Sequence, residues 1–151
     1  MLTVEPKLIE AYVKTGQVRL IFRPVIDYPP RSQQAAEAAY CVGDQDPRQF
    51  WAMHDLLFER QSQLWVASDL APLVKQLAAE LRLNQADFAA CLDGGAFKAA
   101  VTAADQARRA EGIRLRPSFK IVGPAQADGR LAAGAQPFET FQKLIEEARG
   151  R

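Results

Sequence analysis

The first helical signal comes from Val4, Leu8 and Tyr12 on one face with Ile9 and Val13 beside them, which predicts a helix over Thr3–Thr15. Gly16 supplies the left-handed stop that commonly ends a helix, so the chain is expected to open inside or at one. The period then changes. Over Gln17–Arg23, Val18, Leu20 and Phe22 alternate with Arg19 and Ile21, as in a strand, and Pro24, Pro29 and Pro30 end it and force a loop.

Between Arg31 and Ala110 the pattern is helical throughout, punctuated by Gly43, Asp46-Pro47, Ser68-Asp69, Asn84 and Gly94-Gly95 as caps and turns. Leu70, Leu73, Val74, Leu77 and Leu81 form one stripe, and Asn84 followed by Asp87 marks the start of the next helix. After Gly112 the texture changes again. Pro117–Val122 reads as a short strand, Asp128-Gly129 as a hairpin turn and Arg130–Ala133 as the return strand. Pro137 fits the first position of a last helix that buries Phe138, Phe141, Leu144 and Ile145 and runs to about Ala148.

Charge and chemistry change this picture mainly by exclusion. Nineteen basic and eighteen acidic side chains give a formal charge of +1, with the signs interspersed, so nothing asks for nucleic acid or an anionic membrane. The apolar runs fall far short of the roughly 20 residues of a membrane span, and Met1–Pro6 has neither the basic nor the apolar region of an export signal. One histidine and two distant cysteines do not make a closed metal set, and Glu146 and Glu147 face different sides of their helix, so neither metal nor cofactor is expected.

His54, one turn from Phe50, Met53 and Leu57, reads as a packing residue, and no Gly-x-Ser-x-Gly elbow accompanies it. Gly94-Gly95 and Gly123-Pro124 have turn spacing, not that of a phosphate cradle, and Trp51, Trp65 and the phenylalanines are expected in the core. Cys41 and Cys91 fit either one structural disulfide or two buried thiols. Neither starts a helix or has a base beside it, and there is no Cys-x-x-Cys, so no catalytic residue is identified.

Three stretches in this order resemble the DsbA-like branch of thioredoxin-fold proteins, and the likeness covers nearly the whole chain. They are Thr3–Ile9 running through Val18–Arg23, then Gln34–Cys41 followed by Phe50–Phe58, and Gly134–Glu139. The resemblance implies an α/β fold: a thioredoxin-like core over 1–30 and 111–151 with a large all-helical insertion over 31–110. The family's first core strand and its Cys-x-x-Cys helix start are absent from this chain. That strand would lie between Val18–Phe22 and Ser118–Val122. The expectation is therefore a gap, a direct pairing of those two strands, or a partner chain supplying the missing one.

The resemblance further implies that Pro117 is the family's cis-proline and that Arg116 and Pro117 line a groove for an extended peptide or protein. Relatives usually carry small or β-branched residues before that proline, whereas Leu115-Arg116 here puts a long cation at the groove, favouring anions over apolar substrates. Some relatives join cysteines placed like Cys41 and Cys91. Two readings follow. One is an N-terminally truncated thiol:disulfide oxidoreductase, redox-inactive alone, from a mostly extracytoplasmic family, whose coding frame continues upstream of Met1. The other is a genuine short, non-catalytic scaffold that binds peptide or protein, as a homo-oligomer covering its open strand edges.

Overall fold

The computed structural model describes residues 4–151. They fall into two compact units, one of the residues up to Phe22 with Arg109–Arg151, the other Arg23–Arg108. In the first, the opening helix is a single turn, α1 (Glu5–Leu8), followed by a π-helical turn over Ile9–Val13. The predicted unbroken helix is corrected accordingly, and its start at Thr3 lies outside the described residues. Pro6 sits in the first turn, where a missing N–H costs nothing. The hydrogen-bond step then widens: Lys14 N–H donates to the Ile9 carbonyl at 2.8 Å. Gly16, with φ +71°, ends the segment, and the N–H groups of Gln17 and Val18 both donate to the Tyr12 carbonyl, at 2.9 and 3.0 Å.

The predicted strand at Val18–Phe22 is also corrected. Its exposure alternates as expected, with Arg19 and Ile21 out and Val18, Leu20 and Phe22 partly buried, but it joins no ladder. Alternation decides which face a strand would bury; only a hydrogen-bonded neighbour makes it one, and no described segment pairs with this one. Direct pairing with Ser118–Val122 does not occur, because that segment pairs with the strand after it.

That sheet has two antiparallel strands, β1 (Ser118–Gly123) and β2 (Gln126–Ala133), and it carries a further correction. The turn falls at Pro124-Ala125, not at Asp128-Gly129. Pro124 brings the pre-set φ that a tight turn needs. Gly129, with φ +78°, lies within β2 where the register shifts between Ile121 and Gly123, so its conformational freedom serves an irregularity in the ladder. There an added Cβ would meet Lys120 Cε at 2.8 Å and Val122 Cγ2 at 2.9 Å.

The last helix, α2 in this unit's packing but eighth in the chain and hence α8 (Phe138–Arg149), follows Pro137 as its N-cap, one position earlier than expected. Gly150, φ +79°, closes it. One face of the hairpin lies on this helix and on the opening turns, with Leu8, Tyr12, Ala132, Phe141, Leu144 and Ile145 as the buried cluster. Phe119 and Phe141 meet edge to face at 4.7 Å. The approach is closest at Gly123, where a Cβ would stand 2.3 Å from the Ala148 carbonyl oxygen, and Ala125 N–H donates to that same oxygen at 3.0 Å.

The second unit contains α2 (Arg31–Gln45), α3 (Gln49–Glu59), α4 (Gln61–Val66), α5 (Ala71–Glu80), α6 (Gln85–Asp93) and most of α7 (Lys98–Ala110). Val42, Met53, Val74 and Phe88 are fully buried at its centre. Asn84 caps α6 as predicted, its Oδ1 accepting from the N–H groups of Ala86 and Asp87 at 3.0 and 3.3 Å. Trp65 departs from the core expectation: Leu64 fills the inward position of the short α4, and Trp65, one residue on, is 55% exposed and stacks edge-on with Tyr28 at 4.9 Å. No described helix is long and apolar enough to cross a membrane.

Two measurements probe the hairpin unit. Gly123→Ala forces the end of β1 away from a backbone oxygen that cannot rotate aside, and urea denaturation should show a loss of about 2 kcal/mol. Tyr12 is the second probe. Burial first, and then the adjacent Glu146 carboxylate that accepts its hydroxyl proton, hold this tyrosine protonated above its ordinary range. Because the unfolded tyrosine ionises near pH ~10, the stabilisation is complete below that value and is lost as pH rises through the higher folded one. Tyr40, raised by burial, acts in the same direction. The urea midpoint of the native protein should therefore fall more steeply from pH 9.5 to 11 than that of Tyr12→Phe, conditions set around that ~10.

Candidate functional site

The head of β1 is built from a run that changes direction at a proline. Arg114, Leu115 and Arg116 are exposed, and Leu115 is 65% so. The Arg116–Pro117 peptide bond is cis, as is Pro29–Pro30. Ser118 Oγ donates to the Leu115 carbonyl at 2.7 Å, and the Pro117 carbonyl accepts from Gly134 N–H at 2.8 Å. This last bond sets the sense of the strand. In an antiparallel ladder successive residues turn their backbone groups to opposite sides, so with Pro117 bonded toward β2, Phe119 and Ile121 also face β2. The N–H and C=O groups of Ser118 and Lys120 then point away from β2, along the edge that no described strand covers.

Side chains follow the same alternation on the two faces. Phe119 and Ile121 pack into the cluster on α8, while Lys120 is exposed and donates to Glu111 Oε2 at 3.0 Å. Val122 and Leu131 are 58% and 46% exposed on the face away from that cluster. Arg130 instead turns toward α8 and pairs with Glu147 at 2.7 Å.

In the helical unit Cys41 and Cys91 form a disulfide, with Cα atoms 5.9 Å apart, joining α2 to α6. Cys41 is 1% exposed and Cys91 partly buried. One turn along α2, the Gln45 side chain clamps the Asn84 backbone at both ends, donating to its carbonyl at 3.1 Å and accepting from its N–H at 3.0 Å. His54, 5% exposed, lies between Trp51 and Phe58, with Nδ1 3.0 Å from Asp55 Oδ1. Its setting is that of an aromatic packing cluster. A cavity of about 40 Å³ between α4 and α5, lined by Leu64, Leu73 and Leu77 among others, has room for water and little else. Among the described residues no group of three or more His, Cys, Asp or Glu is placed to hold a metal ion.

Sequence reasoning missed the buried pair on α7. Asp105 and Arg108 are 6% and 5% exposed, with Arg108 Nε and Nη2 donating to Asp105 Oδ1 at 3.0 and 2.6 Å. The same carboxylate oxygen accepts from Ile26 N–H at 3.1 Å, fastening the proline-bounded loop to the helix. The signal was present as spacing: Val101, Asp105 and Arg108 lie on one face of α7, a position normally read as apolar.

A family model described as Thioredoxin matches residues 1–147. The chain is similar to a segment of the Na(+)/H(+) antiporter NhaA 1 of Salinispora arenicola, at 39% identity over 79 residues, which are 51% of this chain and 12% of that protein. The Na(+)/H(+) antiporter NhaA 3 of Salinispora tropica gives the same identity and coverage, 39% over 79 residues. Disulfide bond formation protein D of Bacillus subtilis is 35% identical over 68 residues, 43% of this chain and 31% of that protein. The match thus spans under a third of each relative, 12% of the two antiporters and 31% of the third.

The bridge gives a test of its own. With both cysteines bonded, a thiol-reactive dye should label neither in the unfolded, unreduced protein. Replacing both by alanine opens a loop whose ends are 50 residues apart in sequence. The urea-extrapolated stability should then fall by about 4 kcal/mol on the chain-entropy account.

Proposed function

The chain belongs to the thioredoxin family, and we propose on that premise that it works as a scaffold that binds extended peptide or protein segments without turning over dithiols of its own. It is a thioredoxin-family domain with weak similarity to a disulfide bond formation protein. The observation that carries the proposal is the state of its cysteines. The sequence has two, both are consumed by the bridge between α2 and α6, and no Cys-x-x-Cys stands at a helix start where a thiolate would be stabilised. Binding rests on the outward edge of β1 beside Arg116 and Pro117, where backbone groups are available to an added strand.

A second reading is favoured by the likeness to disulfide bond formation protein D. On it, the same scaffold takes part in disulfide exchange when another polypeptide supplies the reactive pair, and this chain contributes the surface that receives the substrate.

Two assays on the same preparation decide the matter. In a dithiothreitol-driven insulin precipitation assay the chain should give no acceleration over dithiothreitol alone, and Cys41→Ser/Cys91→Ser should behave identically. An acceleration that disappears in the double variant would overturn the non-redox proposal. A fluorescently labelled, reduced and carboxymethylated protein that stays extended should raise its anisotropy on titration with the chain. No rise up to high micromolar concentration would overturn the binding role.

A further inference from the structure

We infer that the edge of β1 selects acidic extended segments, an inference that rests on the binding reading above and assigns its substrate class. The argument begins with the sequence around the edge. From Gly112 to Ala127 there is no acidic residue, while Arg114, Arg116 and Lys120 all fall within that run. The structure turns the run into a single feature. Arg114 and Arg116 are exposed immediately before β1, and Lys120 is exposed on the strand itself.

The available hydrogen-bonding groups fall between these cations. With Phe119 and Ile121 bonded toward β2, the N–H and C=O groups of Ser118 and Lys120 line the outer edge, two residues apart, as an added strand requires. A peptide paired there in extended form would carry alternate side chains past Arg116 at one end and Lys120 at the other. Lys120 already holds one carboxylate, that of Glu111 at 3.0 Å. Glu111 lies outside the strand, so the strand's own neighbourhood includes a carboxylate seated on one of its cations. Acidic side chains on the incoming segment would meet positive charge along its length, and basic ones would be repelled.

The backbone supplies the attachment and the cations supply the choice. Exposed charge pairs are individually weak, so preference comes from several acting together and is screened by salt. Leu115, 65% exposed between the two arginines, offers apolar contact to the same segment.

The test uses three labelled synthetic peptides of equal length, alternating valine with glutamate, glutamine or lysine, titrated with the whole chain at low and physiological salt. The glutamate peptide should bind about tenfold more tightly than the glutamine one at low salt, with the lysine peptide weakest, and the preference should shrink at higher salt. Arg114→Glu/Arg116→Glu, changed only at exposed positions, should reverse the order of the charged peptides. Hydrogen exchange on the native chain adds a readout independent of variants: the amides of Ser118 and Lys120 should gain protection when the glutamate peptide is added.

Equal binding of all three peptides would overturn the acidic preference and leave the binding role standing. No binding of any would overturn both. A dimer by light scattering, with Ser118 and Lys120 amides protected before peptide is added, would put a second copy on the edge and overturn the inference.

Discussion

Backbone N–H and C=O groups must find partners or stay wet, and in the unit that carries the hairpin this requirement decides which segments become strands and where the chain can receive another. Val18–Phe22 and Ser118–Gly123 both have strand-like side-chain patterns. Only the second has a neighbour close in sequence: Pro124-Ala125 reverses the chain, and β2 returns at the cost of a short loop closure. The first has no such neighbour and stays extended without a ladder. β1 is consequently satisfied on one side by β2 and wetted on the other. The same edge is protected in the ordinary way, by shortness and by charge at Arg116 and Lys120, against indiscriminate pairing. Protection and selectivity are then one property, since a charge that repels most strands admits the complementary one.

The helical unit is organised by different means. Its apolar cluster around Val42, Met53, Val74 and Phe88 supplies the bulk of the driving force, while the pairing of particular helices is specified by directional contacts. Cys41 to Cys91 and Gln45 to Asn84 fix α2 against α6 at two points one turn apart on α2. Asp105, bonded to Arg108 and to the Ile26 N–H, fixes the loop after Arg23 to α7. A buried ion pair contributes little net stability against well-packed apolar groups, but loss of one partner strands the other charge, so it penalises alternative packings more than it deepens the native one.

Legibility in the sequence follows the range of the interactions. The α/β class, the helical character of the segment after Arg31, the Asn84 cap and the buried stripe of α8 rest on spacings of a few residues, and all are in the structure. The failures concern partners distant in sequence or choices between equivalent local signals. Val18–Phe22 has the right alternation and lacks a neighbour. The hairpin has two turn signals, Gly123-Pro124 and Asp128-Gly129; the first makes the turn and the second the bulge, because Gly123 also has to pass within Cβ distance of the Ala148 carbonyl. Trp65 is outward because α4 is too short to bury two adjacent faces. Of the candidate site, Arg116 and Pro117 were legible from the family likeness alone. That the carbonyl of Pro117 bonds to Gly134, and so turns Ser118 and Lys120 outward, is visible only in the structure.

The placement of the cysteines bears on chemistry through access and orientation. Thiol–disulfide exchange proceeds by a thiolate approaching a sulfur, and the thiol that leaves must be stabilised as it departs. Cys41 lies well along α2 and Cys91 near the end of α6, so neither sulfur is placed at the positive end of its helix. Burial of Cys41 withholds one sulfur from solvent altogether, and the Gln45 clamp one turn away keeps the two helices apposed even as the sulfurs would have to separate. Both effects favour the closed bridge as part of the frame. A thioredoxin-family chain arranged this way has its reactive surface, on the proposed reading, where its backbone is open: at β1, with recognition carried by arginines and peptide groups in place of sulfur.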